Sequence, residues 1–160
     1  MRWLDRDYLT ASLSDEEAER RDVGWAAARD AMARSEVGAI GMLVGDIYLH
    51  DALIERLEQS AAGRVDLTVV GGDLQCGYER VALSYTEAAV VDDEAGTVPD
   101  LLRTGAEILY DEVHLLDGSR YEHSFILPDR GAFTVEFGQV EVARSAVAPK
   151  ERDRLWHTGR

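Results

Sequence analysis

The stretch that decides the fold is residues 108–142, which read ILYDEVHLLDGSRYEHSFILPDRGAFTVEFGQVEV. Three segments rich in β-branched and aromatic residues are separated by two turn sequences; the segments are 108–116, 121–127 and 132–142, and the turns are DGS at 117–119 and PDRG at 128–131. Because a parallel crossover needs a dozen or more residues, such short connections predict antiparallel neighbours. This third of the chain therefore predicts an antiparallel sheet, with a bulge or bend at Gly138.

Upstream of this stretch, apolar and polar residues also alternate with a period of two. The alternation predicts further strands at 47–58, 64–70, 78–85 and 88–91. We expect a bulge near Leu53 and a break at the two glycines before Asp73. Six or seven mostly antiparallel strands would form a strongly twisted sheet or a small sandwich.

The N-terminal region predicts one long helix, at 15–35. Ser14 is a typical N-cap residue, and Glu17 three positions later is the partner expected in a capping box. Apolar residues then recur at spacings of three and four. We expect this helix to pack on the sheet through Trp25 and Met32.

These elements together predict an α+β class, with a single domain over 1–147. The stretch 36–45 contains three glycines and is expected to be a loop or one helical turn. The C-terminal tail, 148–160, is basic and has little periodicity, so we expect it to be loosely ordered unless Trp156 docks.

Composition excludes several classes of function. The chain has 160 residues, and 31 acidic against 17 basic side chains give a formal net charge of −14. Binding to nucleic acid or to an anionic membrane depends on clustered Lys and Arg, so this balance argues against both. The single cysteine excludes a disulfide framework and a cysteine-rich zinc site. The absence of a signal-like or membrane-length apolar run predicts a cytoplasmic location.

Four short motifs resemble an uncharacterised bacterial domain family of unknown function; they are MRWL at 1–4, YLHDA at 48–52, LYDEV at 109–113 and YEHSF at 121–125. The family has a helical N-terminal region, a Leu-His-Asp strand start and a β-meander, and the resemblance covers about residues 1–143. It implies a fold and not a reaction, because no activity is established for the family. Domains of this kind are similar to some immunity proteins of bacterial toxin systems.

Histidines and carboxylates of the strand-rich region are the candidate metal ligands, namely His50, Asp51, Asp111, Glu112, His114 and His123. The turn at 117–119 places His114 opposite Glu122, so His114 and His123 fall on opposite faces of the hairpin. Ligands on opposite faces cannot share one ion. We therefore predict no bound metal and no cofactor, and cross-strand pairing of His114 with Glu122 instead.

The sequence shows no catalytic motif. It contains no glycine-rich phosphate loop and no G-x-S-x-G elbow. Cys76 could act as a nucleophile with His50 or His123, but a lone cysteine at a strand boundary is more often a small buried hydrophobe. No catalytic residue is predicted. One enzymatic or ligand-binding alternative stays open, a hydrolytic or small-ligand site on the concave sheet face with His50, Glu112 and His123.

The acidic loop Asp92-Asp93-Glu94 has no helix to stabilise, so we interpret it as a docking site for a basic protein partner. Asp111 and Glu112 are the next candidates for this surface. The leading hypothesis is a non-enzymatic, acidic protein-binding module, most specifically an immunity protein that neutralises a basic toxin. A structural subunit that pairs through its sheet edge in a homodimer is a further alternative.

Overall fold

The computed structural model describes residues 3, 5–10, 12–93, 105–128 and 131–158, and within them it confirms the α+β class. The helices are α1 (Arg6–Leu9), α2 (Asp15–Ser35), α3 (Ala39–Gly45) and α4 (Pro149–Thr158). The strands are β1 (Leu53–Ser60), β2 (Arg64–Asp73), β3 (Gly77–Thr86), β4 (Ala89–Asp93), β5 (Tyr110–Asp117), β6 (Arg120–Leu127), β7 (Gly131–Phe137) and β8 (Gln139–Val147). The chain divides into two compact units, Met1–Ile47 and Tyr48–Arg160. This boundary falls inside the single domain predicted for 1–147.

The predicted helix at 15–35 is confirmed as α2. The backbone N–H of Glu17 donates to the Ser14 hydroxyl at 3.3 Å, which is the expected N-cap bond. The Glu17 carboxylate pairs with the guanidinium groups of Arg20 and Arg21. Three acidic side chains in the first turn also lie at the positive end of the helix dipole, where negative charge is stabilising.

Within the first unit, α2 packs against α3 and the ring of Trp3. The Trp3 ring lies so close to Gly24 that a Cβ at this position would overlap it, which explains a glycine in the middle of the helix. Arg29 donates to the carbonyl of Val44 at 2.7 Å and to that of Ile47 at 3.1 Å, and it thereby ties α2 to the end of α3.

No residue of α2 is fully buried, and both Trp25 and Met32 are half-buried. Their predicted docking on the sheet stays a prediction. The stretch 36–45, expected to be a loop or one turn, contains the seven-residue helix α3.

The second unit contains two four-stranded antiparallel sheets. The first sheet has the order β1-β2-β3-β8, and the second has the order β4-β7-β6-β5. The described residues form eight strands, against the predicted six or seven, because the predicted strand 132–142 is divided at Gly138 into β7 and β8.

Two long strand pairs connect the sheets. Antiparallel pairing continues without a shift from β3–β8 into β4–β7: Thr86 pairs with Gln139, and Ala89 pairs with Glu136. The strands bend between these pairs, at Glu87, whose φ is 51°, and at Gly138. The Glu87 side chain occupies the space where a Cβ of residue 138 would lie. Strands that change sheets through such bends form the corner of a sandwich.

The hydrophobic core lies between the sheets. The first sheet contributes the alternating residues of β2 and β3 that the sequence pattern predicts: Val65, Leu67, Val69, Val81, Leu83 and Tyr85. The second sheet contributes the aromatic residues of β6 and β7. The rings of Phe125 and Phe133 stack at 4.6 Å between centroids, and Tyr85 contacts Phe137 edge-on across the core at 4.9 Å.

Two predicted strand boundaries are wrong. The glycines before Asp73 do not break the strand, because β2 continues to Asp73 and pairs there with Gly77. Gly72 has a φ of 100° and lies against the Gly77 carbonyl, so only glycine fits this end of the hairpin. The strand predicted from residue 47 begins at Leu53, after a turn in which Asp51 has a φ of 60°. Its predicted bulge lies between Ile54 and Arg56.

The C-terminal tail, expected to be loosely ordered unless Trp156 docks, forms the helix α4 over residues 149–158. Pro149 is at the first helical position, where its fixed φ and missing N–H are tolerated. Arg80 of β3 pairs with Glu55 of β1 at 2.5 Å and with Glu151 of α4 at 3.3 Å, and hydrogen bonding to Glu55 raises the pKa of the Arg80 guanidinium. The ion pair between Arg80 and Glu151 fixes α4 to the first sheet. No described helix is both long and apolar enough to span a membrane.

Candidate functional site

The carboxylates predicted to bind a partner lie on two separate edges of the second sheet. Asp92 and Asp93 are in β4, and Asp111 and Glu112 are in β5. These strands are the first and last of four, so about 14 Å of sheet separates them. Glu94 lies outside the described residues. The predicted set therefore does not form one contiguous surface.

Asp111 and Glu112 already have partners inside the chain. Glu112 is 2% exposed and accepts a hydrogen bond from Nε2 of His114 at 2.9 Å. Asp111 is on the other face of β5 and accepts from Nε2 of His123 at 3.0 Å. Glu112 in particular presents almost no surface to a partner.

The predicted register of the β5–β6 hairpin is confirmed: His114 pairs with Glu122, and Glu112 pairs with Ser124. The His114 side chain, however, bonds Glu112 on its own strand. The two histidines are on opposite faces, as predicted. No group of three or more possible metal ligands occurs among the described residues.

A buried chain of hydrogen bonds joins the two sheets through His123. Its Nδ1 lies 2.8 Å from the Tyr85 hydroxyl of the first sheet, and its Nε2 is bonded to Asp111. An ionised carboxylate only accepts, so Nε2 carries a proton. In the neutral imidazole Nδ1 then accepts, and the Tyr85 hydroxyl donates to it.

These hydrogen bonds through His123 hold the sheets together, and they offer little access to a substrate. Tyr85 and His123 are both 0% exposed, and only the Asp111 side chain reaches the surface, with 24% exposure. Burial, and secondarily the Asp111 charge, raise the pKa of the Tyr85 phenol well above its ordinary value. The phenol is therefore a neutral donor over the physiological range.

A second histidine, His50, is at the centre of an aromatic group on the surface. Its ring stacks on Tyr110 at 5.1 Å between centroids and meets Tyr48 edge-on at 5.8 Å. Its Nδ1 donates to the Leu109 carbonyl, which fixes the tautomer, and its Nε2 lies 3.5 Å from the Asp51 carboxylate. Tyr48 is 64% exposed, so a large aromatic surface faces solvent here.

Arg152 of α4 extends this group towards the first sheet. Its guanidinium lies over the rings of Tyr78, at 5.3 Å, and Trp156, at 6.0 Å, and it donates to the Asp51 carbonyl at 3.3 Å. Its Nε is buried without a hydrogen-bond partner. We call the contiguous set the aromatic surface; its members are Tyr48, His50, Tyr78, Tyr110, Arg152 and Trp156.

The residues of the alternative catalytic or ligand site do not converge. His123 is on the inner face of the second sheet and Glu112 is on its outer face, whereas His50 belongs to the aromatic surface. Cys76 is exposed in the β2–β3 turn, where its N–H donates to the Asp73 carboxylate at 2.7 Å. The interpretation of Cys76 as a small buried hydrophobe is therefore wrong.

No family model, curated protein or solved structure matches the chain. The resemblance based on the four short motifs therefore stays a prediction.

Sequence reasoning missed the aromatic surface because its members come from four distant parts of the chain. His50 and Tyr110 are sixty positions apart, and Arg152 lies in a tail for which no helix was predicted. The one available signal was the unusual aromatic content around Asp51, with Tyr48 and His50 two positions apart just before a strand.

Proposed function

We propose that the chain is a non-enzymatic protein-binding module and that its partner docks on the aromatic surface. The observation that carries this proposal is a pair of neighbouring aromatic groups at a partly exposed site, one around His50 and one around Arg152, which the hydrogen bond from Arg152 to the Asp51 carbonyl links. Tyr, Trp and Arg are the residues that dominate the binding energy of protein interfaces.

The contacts within the aromatic surface favour tight binding because they fix its side chains before a partner arrives. His50 is held by the Leu109 carbonyl and the Tyr110 ring, and Arg152 is held between Tyr78 and Trp156. Immobilising a rotamer-rich side chain on binding costs about 0.5–1.5 kcal/mol, and pre-ordered side chains avoid most of that cost.

The charge of the second unit favours a basic partner. The unit contains 21 acidic side chains against 11 basic ones, and its residues 48–147 contain 19 acidic side chains against 7 arginines. The five arginines that the structure describes in this range each have a carboxylate partner; they are Arg56, Arg64, Arg80, Arg120 and Arg144. The excess of carboxylates leaves a negative field that would attract a basic protein and speed its association.

On this proposal the aromatic surface supplies affinity, and the acidic residues at 92–94 supply steering. An immunity protein that occludes a basic toxin is the specific form that the resemblance implies.

The experiment captures proteins from the source cells with the immobilised chain, and then measures affinity for each captured protein with two variants. Tyr48→Ala removes the most exposed ring of the aromatic surface, and we expect it to weaken binding by about 2 kcal/mol, or roughly thirtyfold. Val91→Ala, on the β4 edge and 51% exposed, is the matched control and should bind within about twofold of the wild type. Equal affinities for wild type and Tyr48→Ala would exclude the aromatic surface as the binding site.

A further inference from the structure

The four edges of the two sheets differ in how regular they are. In the part of the chain that the structure describes, the edge strands are β1 and β8 in the first sheet and β4 and β5 in the second. The pairing of β1, β4 and β5 with their neighbours is interrupted in each case by a register shift, whereas β8 pairs with β3 over nine residues without one. Bulges at sheet edges are a common device against pairing with other chains, and β8 lacks it.

The β1 edge is also partly covered. Residues 105–108 lie beside its start, where Ile54 donates to the Ala106 carbonyl at 2.7 Å and Leu53 forms a bridge with Glu107. In contrast, Ala143 to Ala146 of β8 are four consecutive exposed residues. Successive residues of a strand point to opposite faces. Four consecutive exposed residues therefore mean that both faces of β8 are accessible to solvent over this stretch.

The sequence of β8 also lacks the usual protective residues of an edge strand. It reads QVEVARSAV and contains no proline and no lysine. Its two charged side chains are Glu141 and Arg144, and Arg144 is paired with Glu79 of β3 at 2.7 Å. A long, regular, weakly charged edge is a template for one more strand.

We propose that β8 pairs with β8 of a second copy of this chain and that the two first sheets form one continuous eight-stranded sheet. The antiparallel register that overlaps all nine residues has its two-fold axis at Ala143. In this register Glu141 faces Ser145 of the second copy, Arg144 faces Val142, and Gln139 faces Val147. No two like charges lie directly opposite each other, so the strand is complementary to itself.

The net charge makes the salt dependence of this dimer diagnostic. Two chains of −14 repel each other, and added salt screens this repulsion. Dimerisation should therefore strengthen as salt rises, whereas binding of a basic partner to the acidic second unit should weaken. The two proposals are independent. Because their expected salt dependences are opposite, the experiment distinguishes failure of the dimer proposal from failure of the proposed function.

The experiment is sedimentation velocity of the full chain from about 1 μM to about 1 mM, at low and at high salt. Ala143→Lys and Ala143→Asp each place two identical charges opposite each other at the axis. We expect both variants to raise the dimer dissociation constant by about fivefold or more. An equimolar mixture of the two should restore dimers, because the introduced ammonium then faces the introduced carboxylate.

Ser60→Lys and Ser60→Asp are the matched controls, since Ser60 is exposed at the end of β1 on the opposite edge of the same sheet. They change net charge equally and should shift the dissociation constant by less than about twofold. A general charge effect would instead move the lysine and aspartate variants in opposite directions and would overturn the proposal. A wild-type chain that stays monomeric at the highest concentration and salt would overturn it as well.

Hydrogen exchange provides a readout on unmodified protein, which does not depend on the variants folding. Amides of residues 139–147 that face away from β3 should become protected as concentration rises. Protection that is independent of concentration would contradict a second copy as the occupant of this edge.

Discussion

His123 and His50 lie in the same unit of the chain but occupy opposite kinds of environment. His123 is 0% exposed and has both ring nitrogens bonded to side chains, one to Tyr85 in the core and one to the partly exposed Asp111. His50 has one nitrogen bonded to a backbone carbonyl, and the other faces a carboxylate at the surface, beside an exposed tyrosine. The same residue type therefore joins two sheets in one place and forms part of the aromatic surface in the other, and exposure separates the two environments.

Replacing each histidine by alanine is the most direct test of this comparison. His123→Ala removes a core ring and leaves the Tyr85 hydroxyl without its acceptor, so we expect a loss of about 3–5 kcal/mol in the free energy of unfolding. His50→Ala removes one hydrogen bond at a half-exposed site and should cost about 1 kcal/mol. Urea denaturation of both variants checks the difference. Similar losses for the two variants would show that the buried hydrogen bonds of His123 contribute no more to stability than a surface contact does.

The fold was predictable where a local pattern determines it. The residues of the β5–β6 hairpin, including His114 opposite Glu122, follow from a turn sequence and a period of two. Ser14 and the acidic turn after it likewise defined the start of α2. These features depend only on neighbours within a few positions along the chain.

What the sequence did not predict depends on contacts between distant residues. From the sequence alone, Gly24 indicates a weak point in the helix and Gly72 a strand break. The structure explains both glycines, because the Trp3 ring lies against Gly24 and the Gly77 carbonyl lies against Gly72. Similarly, α4 is fixed by an arginine that lies seventy residues earlier in the chain. The side-chain partner of His123, Tyr85, is on the other sheet, so no pattern within one hairpin could identify it.

Tyr85→Phe isolates the contribution of one buried hydrogen bond, the one between Tyr85 and His123. It removes the hydroxyl that donates to His123 and keeps the ring, so we expect a loss of about 1–2 kcal/mol near neutral pH. The raised pKa of Tyr85 also predicts a pH dependence. Above about pH 10 the unfolded phenol loses its proton while the folded one keeps it, so the folded state binds more protons and wild-type stability falls as pH rises.

The phenylalanine variant lacks this ionisation, and its stability should fall less steeply between about pH 9.5 and 11. Equilibrium unfolding of both proteins across this range measures the two slopes. Parallel slopes would mean that the Tyr85 phenol ionises as readily in the folded chain as in the unfolded one.

The smallest expected effect on stability belongs to the acidic stretch at 92–94. Replacing Asp92, Asp93 and Glu94 by their amides should change the free energy of unfolding by less than about 0.5 kcal/mol, because a run of three acidic residues is usually solvated. If these carboxylates steer a basic partner, association should nevertheless slow, and its salt dependence should become shallower, because exposed charges act over about 8–10 Å at physiological salt. Dissociation should change little, since affinity is assigned to the aromatic surface.

Stopped-flow mixing of a captured partner with both proteins, from low to physiological salt, measures these rates. A matched control changes net charge by the same amount at exposed carboxylates of the first unit, with amides at Asp7, Glu16 and Glu19. If steering depends on where the charge is and not only on how much there is, the control should slow association less than the 92–94 variant does. Equal slowing in the two variants would assign the attraction to net charge alone. An association rate insensitive to salt in all three proteins would remove electrostatic steering from the binding mechanism and leave the aromatic surface as its only described determinant.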